Sequence, residues 1–429
     1  MSPSVPSRRQ LLFLSAAAAL QGCASVPDVD TYQAASDDPL QRHYATQRGL
    51  SDGSLVFGNQ TRLLMDGAQA FPAMFQAMVA ARDHINLEYF IFEDVEADGI
   101  RLSELLIDKL SRGVAVNIIY DAYGSQATPG ELFDALRRAG ARVLTYHPIN
   151  PVTLLHANDR DHRKIMVVDG RIGFTGGINL SRTYENPPSA GIPPNGDTRH
   201  AYWRDTAVEI RGPAVAELQR LFFATWKQQN GDPVARADYF PPLPRQGVQT
   251  VRIIGSAPGD DQPLYYISLE EAIRAARSRI WLSTGYFVPP HQEREDLGMA
   301  ARRGVDLRIV VPSQSDVEAA VYAGRAAYGD LLERGAQIYE MQTAVLHSKL
   351  ATVDGVWTAI GSSNLDRRSV VFNNEVDAII LGADTASQVE ALLRRDMAQS
   401  RAVTLHAWED RSLHERMREL DARIWQYWM

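Results

Sequence analysis

Apolar residues spaced three and four apart alternate with short β-branched runs through most of this chain, and the whole series occurs twice. In the first pass the pattern predicts a helix over Ala70–Arg82, a strand over His84–Phe92, a helix over Arg101–Arg112 and a strand over Val114–Tyr120. A helix over Glu131–Ala139 then leads to a strand over Arg142–Tyr146. The second pass predicts a helix over Leu269–Arg277, a strand over Arg279–Val288, a helix over Glu295–Arg303 and a strand over Val305–Val311. A helix ending near Arg334 precedes a strand over Gln337–Glu340. Gly113, Gly140, Gly304 and Gly335 stand just past predicted helices, where a left-handed residue ends the helical hydrogen bonding.

The phrases LSRGVAVNII (110–119) and ARRGVDLRIV (301–310) make the duplication explicit. Alternating helices and strands imply α/β units with sheets covered by helices. The long spacing implies two duplicated domains rather than a solenoid of small repeats. The expected organisation is a first domain over 58–230, a Pro- and Gly-rich linker over 231–248 and a second domain over 249–429. Residues 23–57 are polar and without periodicity, and they read as a tether.

The N-terminus adds a location. Arg8 and Arg9 precede the apolar run LLFLSAAAAL (11–20), which is too short to span a bilayer, and then Leu20-Gln21-Gly22-Cys23. Residues 1–22 resemble a bacterial lipoprotein signal, with Cys23 as the lipidated residue. Arg8-Arg9 is also compatible with twin-arginine export. The expectation is a protein held by acyl chains at the cell envelope, facing the periplasm. Cys23 is the only cysteine, so no disulfide contributes. The formal net charge is −8, and −10 without residues 1–22, which argues against nucleic acid as a partner.

The chemistry lies in a second repeated phrase. HRKIMVVD (His162, Lys164, Asp169) returns as HSKLATVD (His347, Lys349, Asp354), each 185 positions later. Gly176-Gly177-Ile178-Asn179 and Gly361-Ser362-Ser363-Asn364 follow at matching distances. On a strand, His162 and Lys164 share one face, as do His347 and Lys349. Two such motifs facing each other supply two imidazoles and two ammonium groups, enough to cleave a phosphodiester. One histidine attacks phosphorus while the other protonates the leaving alkoxide. Lys164, Lys349, Asn179 and Asn364 bind the phosphoryl oxygens. Each histidine needs an acceptor on its other nitrogen, and Asp205 and Glu375 are the candidates. Asp169 and Asp354 complete the two motifs; each precedes a glycine and reads more as a turn-former than as a participant. No metal-ligand spacing emerges, since His156 and His162 are six apart, and no cofactor is expected. Trp425, Tyr427 and Trp428 read as a core cap or a membrane-interface foot.

Two His-x-Lys-x4-Asp motifs followed by Gly-Gly/Ser-x-Asn resemble the phospholipase D superfamily. Tyr120-Asp121, Trp203-Arg204-Asp205, Tyr286-Phe287-Val288-Pro289 and Asn374-Glu375 narrow the resemblance to bacterial cardiolipin synthases, as do Asp396, Ser400, Trp408 and Arg411. The resemblance covers roughly residues 58 to 415. It implies two α/β sandwich domains packed as a pseudo-dimer in a monomer, with the active site between them. It also implies metal-free joining of two phosphatidylglycerols with release of glycerol, phosphatidylethanolamine being a donor in some members. Those synthases mostly reach the membrane through N-terminal transmembrane helices, whereas this chain opens with the lipoprotein-like signal. Competing readings are a phospholipase D-type hydrolase, a nuclease of the same superfamily, and a lipid-binding protein without activity.

Overall fold

Strands that are apolar on both faces need cover on both sides, and that requirement organises the molecule. The computed structural model describes residues 36–50, 54–149, 158–234, 236–260, 262–412 and 415–419. Residues 1–22, Cys23, His156, Trp425, Tyr427 and Trp428 lie outside the described residues. The described chain opens with α1 (Pro39–Gly49). The first half follows as β1 (Val56–Met65), α2 (Asp66–Ala80), β2 (His84–Tyr89), α3 (Leu102–Ser111), β3 (Ala115–Asp121), α4 (Gly130–Arg138) and β4 (Arg142–Tyr146). It continues with β5 (Lys164–Val168), β6 (Ile172–Gly176), β7 (Thr206–Arg211) and α5 (Val215–Gln228).

The second half repeats this order as β8 (Gln249–Ser256), α6 (Leu264–Ala275), β9 (Arg279–Thr284), α7 (His291–Arg302) and β10 (Asp306–Pro312). Two short helices, α8 (Glu318–Arg325) and α9 (Tyr328–Glu333), lead to β11 (Gln337–Met341). Then come β12 (Lys349–Val353), β13 (Trp357–Gly361), β14 (Asn373–Leu381), α10 (Ala383–Ala398) and β15 (Ser400–Val403).

These strands join in one mixed sheet, ordered β15-β11-β10-β9-β12-β13-β14-β8-β1-β7-β6-β5-β2-β3-β4. Outward from the antiparallel β8–β1 pair, the two directions match strand for strand until β15 adds an edge. β2, β3 and β4 are mutually parallel, as are β9, β10 and β11. The duplication is therefore an approximate twofold about the β1–β8 seam.

Alternate residues of one strand feed different cores. On β5, Met166 and Val168 join the first half's core with Phe71, Met74 and Met78 of α2. Ile165 and Val167 join a core that crosses the seam to Val251, Ile360 and Ile380. A second-half core gathers Leu269, Ile309 and Trp357. Each fully buried Leu, Ile or Met side chain contributes about 1.5–3 kcal/mol, so the seam is a continuous interior.

The polar tether expected over 23–57 is not what the described part of that stretch forms. Pro39–Gly49 is a helix, and it packs on the second half. Its buried face is polar: Arg42, His43, Thr46 and Gln47. An apolar stripe is what periodicity detects, so this helix leaves no mark in the hydrophobic pattern. Polar partners meet it instead: Arg42 donates to the Ala275 carbonyl and to Asp354, the Gln47 side-chain oxygen accepts from Ser268, and the Gln47 backbone carbonyl accepts from Arg252.

Two strands also stop earlier than expected. β2 ends at Tyr89 rather than Phe92, and β9 at Thr284 rather than Val288. Just beyond each end, a backbone N–H turns to an asparagine side chain: Ile91 donates to Asn179 and Tyr286 to Asn364, both at 3.2 Å. The side-chain amides thus replace the ladder where the chain passes the site.

Candidate active site

The two histidines sit immediately before β5 and β12, which begin at Lys164 and Lys349, not at the histidines themselves. Each histidine backbone is held by the opposite half. His162 N–H donates to the Asn374 carbonyl (2.9 Å), and His347 N–H to the Arg204 carbonyl (2.8 Å). Two-residue parallel ladders support these contacts, Arg160–Asp161 against Asn373–Asn374 and Trp203–Arg204 against Val345–Leu346.

The side chains are crossed in the same way. His162 Nδ1 lies 2.9 Å from Glu375, and His347 Nδ1 lies 2.7 Å from Asp205. Burial alone would push the Glu375 carboxyl up, but His162, Lys164 and Ser362 outweigh it and hold it below the ordinary value. Burial is likewise outweighed at Asp205 by His347 and Lys349, which keep that carboxyl ionised. An ionised carboxylate only accepts, so each Nδ1 carries a hydrogen and Nε2 is the nitrogen left for chemistry, a nucleophile when it bears a lone pair and an acid when it bears a proton.

The supporting bonds differ between halves. Glu375 also accepts from Ser362 Oγ (2.5 Å) and Asn373 (3.0 Å). Asp205 accepts from the Tyr184 hydroxyl (2.8 Å) and the Thr206 N–H (2.7 Å), and the Tyr184 oxygen is also 3.0 Å from His347 Nδ1. Gly177 occupies the place of Ser362, and a Cβ there would meet Asp205 Oδ1 at 2.1 Å. The glycine in one motif and the serine in the other follow from which carboxylate each must clear or bind.

Both motifs act on one electrostatic site. Burial drives the His162 imidazole down to about 4, against the opposing pull of Glu375, and Lys164 and Lys349 both add to the fall. Burial likewise lowers His347. Lys164 falls to about 7, from burial and from Lys349; Lys349 falls to about 8, mainly from burial. Each lysine donates to the carbonyl of its own histidine. Two buried lysines with lowered basicity favour an anion, whose charge would restore theirs. The Asn179 and Asn364 carbonyl oxygens are held by Ile91 and Tyr286, which fixes the amides and leaves their NH2 ends as donors.

Asp169 and Asp354 stand at the far ends of β5 and β12, roughly 16 Å along a five-residue strand from the lysines. They are grouped with the catalytic residues by motif, and geometry removes them from the chemistry. Both have left-handed backbone (φ 52°). The Asp169 carboxylate accepts the N–H groups of Arg82, Asp83 and His84, at 2.8–3.0 Å. Asp354 accepts those of Arg277, Ser278 and Arg279, together with Arg42 at 2.6 Å and His43 at 3.4 Å.

Burial would raise Asp354, but His43, Ser278 and Arg42 together hold it well below the usual carboxylate range. Such a depressed group stabilises the fold above its unfolded value near 3.9 and loses that contribution as pH falls. Asp354→Asn is expected to cost about 3 kcal/mol by leaving Arg42 buried without its partner. Urea unfolding at pH 7 should register the loss, while turnover of the folded fraction stays near normal and acid sensitivity weakens.

Tyr184, Ser362, Asn373 and Arg163 are site residues that the sequence reading gave no role. Arg163 points to the opposite face from Lys164 and bonds Thr225 and the carbonyls of Glu375 and Ser256. Ser362 was legible as the residue where the second motif departs from the first. No pattern marks Tyr184. Among the described residues no group of three or more His, Cys, Asp or Glu side chains is arranged to hold a metal ion. Nor is any helix among them long and apolar enough to cross a membrane.

Comparison with known proteins agrees with this geometry. Residues 74–186 and 269–397 each match the family described as cardiolipin synthase, PLD-like domain. Cardiolipin synthase A of Pseudomonas aeruginosa is 36% identical over 372 residues, covering 85% of this chain and 72% of that protein. A cardiolipin synthase of Geobacillus thermodenitrificans is 32% identical over 392 residues, covering 90% and 76%. Among solved structures, phosphatidylserine synthase of Haemophilus influenzae shares the fold at 14% identity, with a TM-score of 0.64 over 90% of this chain and 98% of that one. With the duplicated domain, the paired motifs and relatives above 30% identity over most of its length, this chain belongs to the phospholipase D-like cardiolipin synthase family.

Proposed function

We propose that this protein is a phosphatidyltransferase that joins two phosphatidylglycerol molecules into cardiolipin and releases glycerol. The observation that carries the reading is the crossed pair: two imidazoles, each anchored at Nδ1 by a carboxylate from the other half. In the first step, Nε2 of one histidine forms a bond to phosphorus. The bond from phosphorus to the glycerol oxygen breaks, and the other histidine, entering the step as the imidazolium, gives its Nε2 proton to that oxygen. In the second step, a head-group hydroxyl of another phosphatidylglycerol gives its proton to this second histidine. Its oxygen bonds phosphorus, and the nitrogen–phosphorus bond breaks. Lys164, Lys349, Asn179 and Asn364 hold the phosphoryl oxygens, where charge builds in each transition state. Asp205 and Glu375 fix the two tautomers.

Mass spectrometry of lipids after mixing the purified protein with phosphatidylglycerol, with and without phosphatidylethanolamine, tests the proposal. Cardiolipin plus free glycerol is the expected result. Phosphatidic acid alone would make the enzyme a hydrolase, and cardiolipin formed only with phosphatidylethanolamine would change the donor. Activity should persist in EDTA, since the lysines fill the cation role. Loss in EDTA that one particular divalent ion restores would overturn that part.

The proposal extends to location, with acylated Cys23 holding the enzyme at the cell envelope, facing the periplasm. One acyl chain binds marginally and two or more bind stably. Cys23→Ser is therefore expected to move the protein to the soluble fraction and to lower cardiolipin made in cells. Turnover on detergent-dispersed lipid should be unchanged. A Cys23→Ser protein that stays with membranes through a high-salt wash would count against the anchor.

A further inference from the structure

Beside Asn364 lies a narrow cavity with free space of about 10 Å³, room for one water-sized group. Ser256, Tyr266, Leu269, Glu293, Asn364 and Ser369 are among its walls. Two of the polar atoms there are unmatched: Glu293 Oε1 and the Tyr266 hydroxyl are buried and have no hydrogen-bond partner. Glu293 is 1% exposed and Tyr266 3%, so bulk water does not satisfy them. An unmatched buried carboxyl oxygen costs about 1–3 kcal/mol unless something fills the site. A cost of that size next to a phosphate-binding asparagine calls for an occupant delivered with the substrate.

We propose that this cavity receives the terminal hydroxyl of the glycerol head group of phosphatidylglycerol, and that Glu293 and Tyr266 select it. The proposal rests on the phosphatidyltransferase reading and names the part of the site that recognises the head group. A lipid whose phosphate lies at Asn364 carries its terminal head-group hydroxyl a few bonds away, and the same cavity is walled by Asn364 and Glu293. A hydroxyl both donates and accepts, so one –OH can satisfy a carboxyl oxygen and a phenol together. An ammonium group only donates and would leave the phenol hydrogen unmatched. Burial, then Asp366 and Asp296, push the Glu293 carboxyl up to about 8, so it is mostly uncharged at neutral pH, which suits a neutral alcohol.

The test compares two substrates of the full-length protein in detergent micelles: phosphatidylglycerol, and bis(p-nitrophenyl) phosphate, which needs the histidines but has no head-group hydroxyl. Glu293→Leu and Tyr266→Phe are expected to lower kcat/KM for phosphatidylglycerol at least tenfold relative to the nitrophenyl diester. Glu293→Gln, whose amide still bonds a hydroxyl, should recover much of that ratio. Equal losses on both substrates would mean a structural role, and no loss on either would mean the cavity holds only water. A selective loss with phosphatidylethanolamine would mean it holds an ammonium group. Each of these results overturns the proposal. A wild-type enzyme that makes no cardiolipin from phosphatidylglycerol would instead refute the reading on which it rests.

Discussion

Replacing either His162 or His347 by Ala is expected to stop turnover, whichever half is changed. Acid and nucleophile are both needed in both half-reactions, so the two residues form one unit rather than two additive contributions. The expected loss is on the order of 10⁵-fold in kcat, the scale on which removing one member of a nucleophile–base set disables the whole. Initial rates of cardiolipin formation, alongside thermal melting to show that the variants fold, measure it. Near-normal activity in either variant would refute a shared two-motif site. The nitrophenyl diester separates the roles, because its leaving group departs without a proton. With it, the variant lacking the acid should accumulate a phosphohistidine, and the variant lacking the nucleophile should not.

The second large effect falls on the carboxylates. Glu375→Gln is expected to reduce kcat about 10⁴-fold, because a carboxamide no longer holds the Nδ1–H tautomer and the reactive nitrogen is misassigned. Asp205→Asn should be measurably milder. The Tyr184 oxygen lies 3.0 Å from His347 Nδ1 and can accept the same hydrogen when the carboxylate is gone. The double variant Asp205→Asn with Tyr184→Phe should then fall to the level of Glu375→Gln. If Asp205→Asn were as damaging alone, Tyr184 would have no part in holding the imidazole.

Much of this was legible in the residues, for identifiable physical reasons. The helix and strand series could be read because each element buries an apolar stripe or run, and because Gly113, Gly140, Gly304 and Gly335 end helices with positive φ. The histidines, lysines and asparagines stood out through repetition, and the Asp205–Glu375 correspondence through the following strand. The partnership between halves was not legible. Nothing in the spacing says that His162 takes Glu375 rather than Asp205, since either choice satisfies an imidazole. Helix α1 escaped because its buried face is Arg, His, Thr and Gln. Asp169 and Asp354 were readable as turn residues, but not as receivers of three backbone N–H groups each, which depends on a loop some 80 residues earlier.

The crossed wiring also governs when the enzyme comes into being. His162 and the carboxylate that orients it are 213 residues apart, and Glu375 is among the last structural elements to leave the ribosome. A nascent chain with only its first half outside carries a complete His-Lys motif but an unoriented imidazole and no partner histidine. It is chemically silent. The two-histidine centre is thus absent until translation is nearly finished, and chains truncated before that point cannot assemble it.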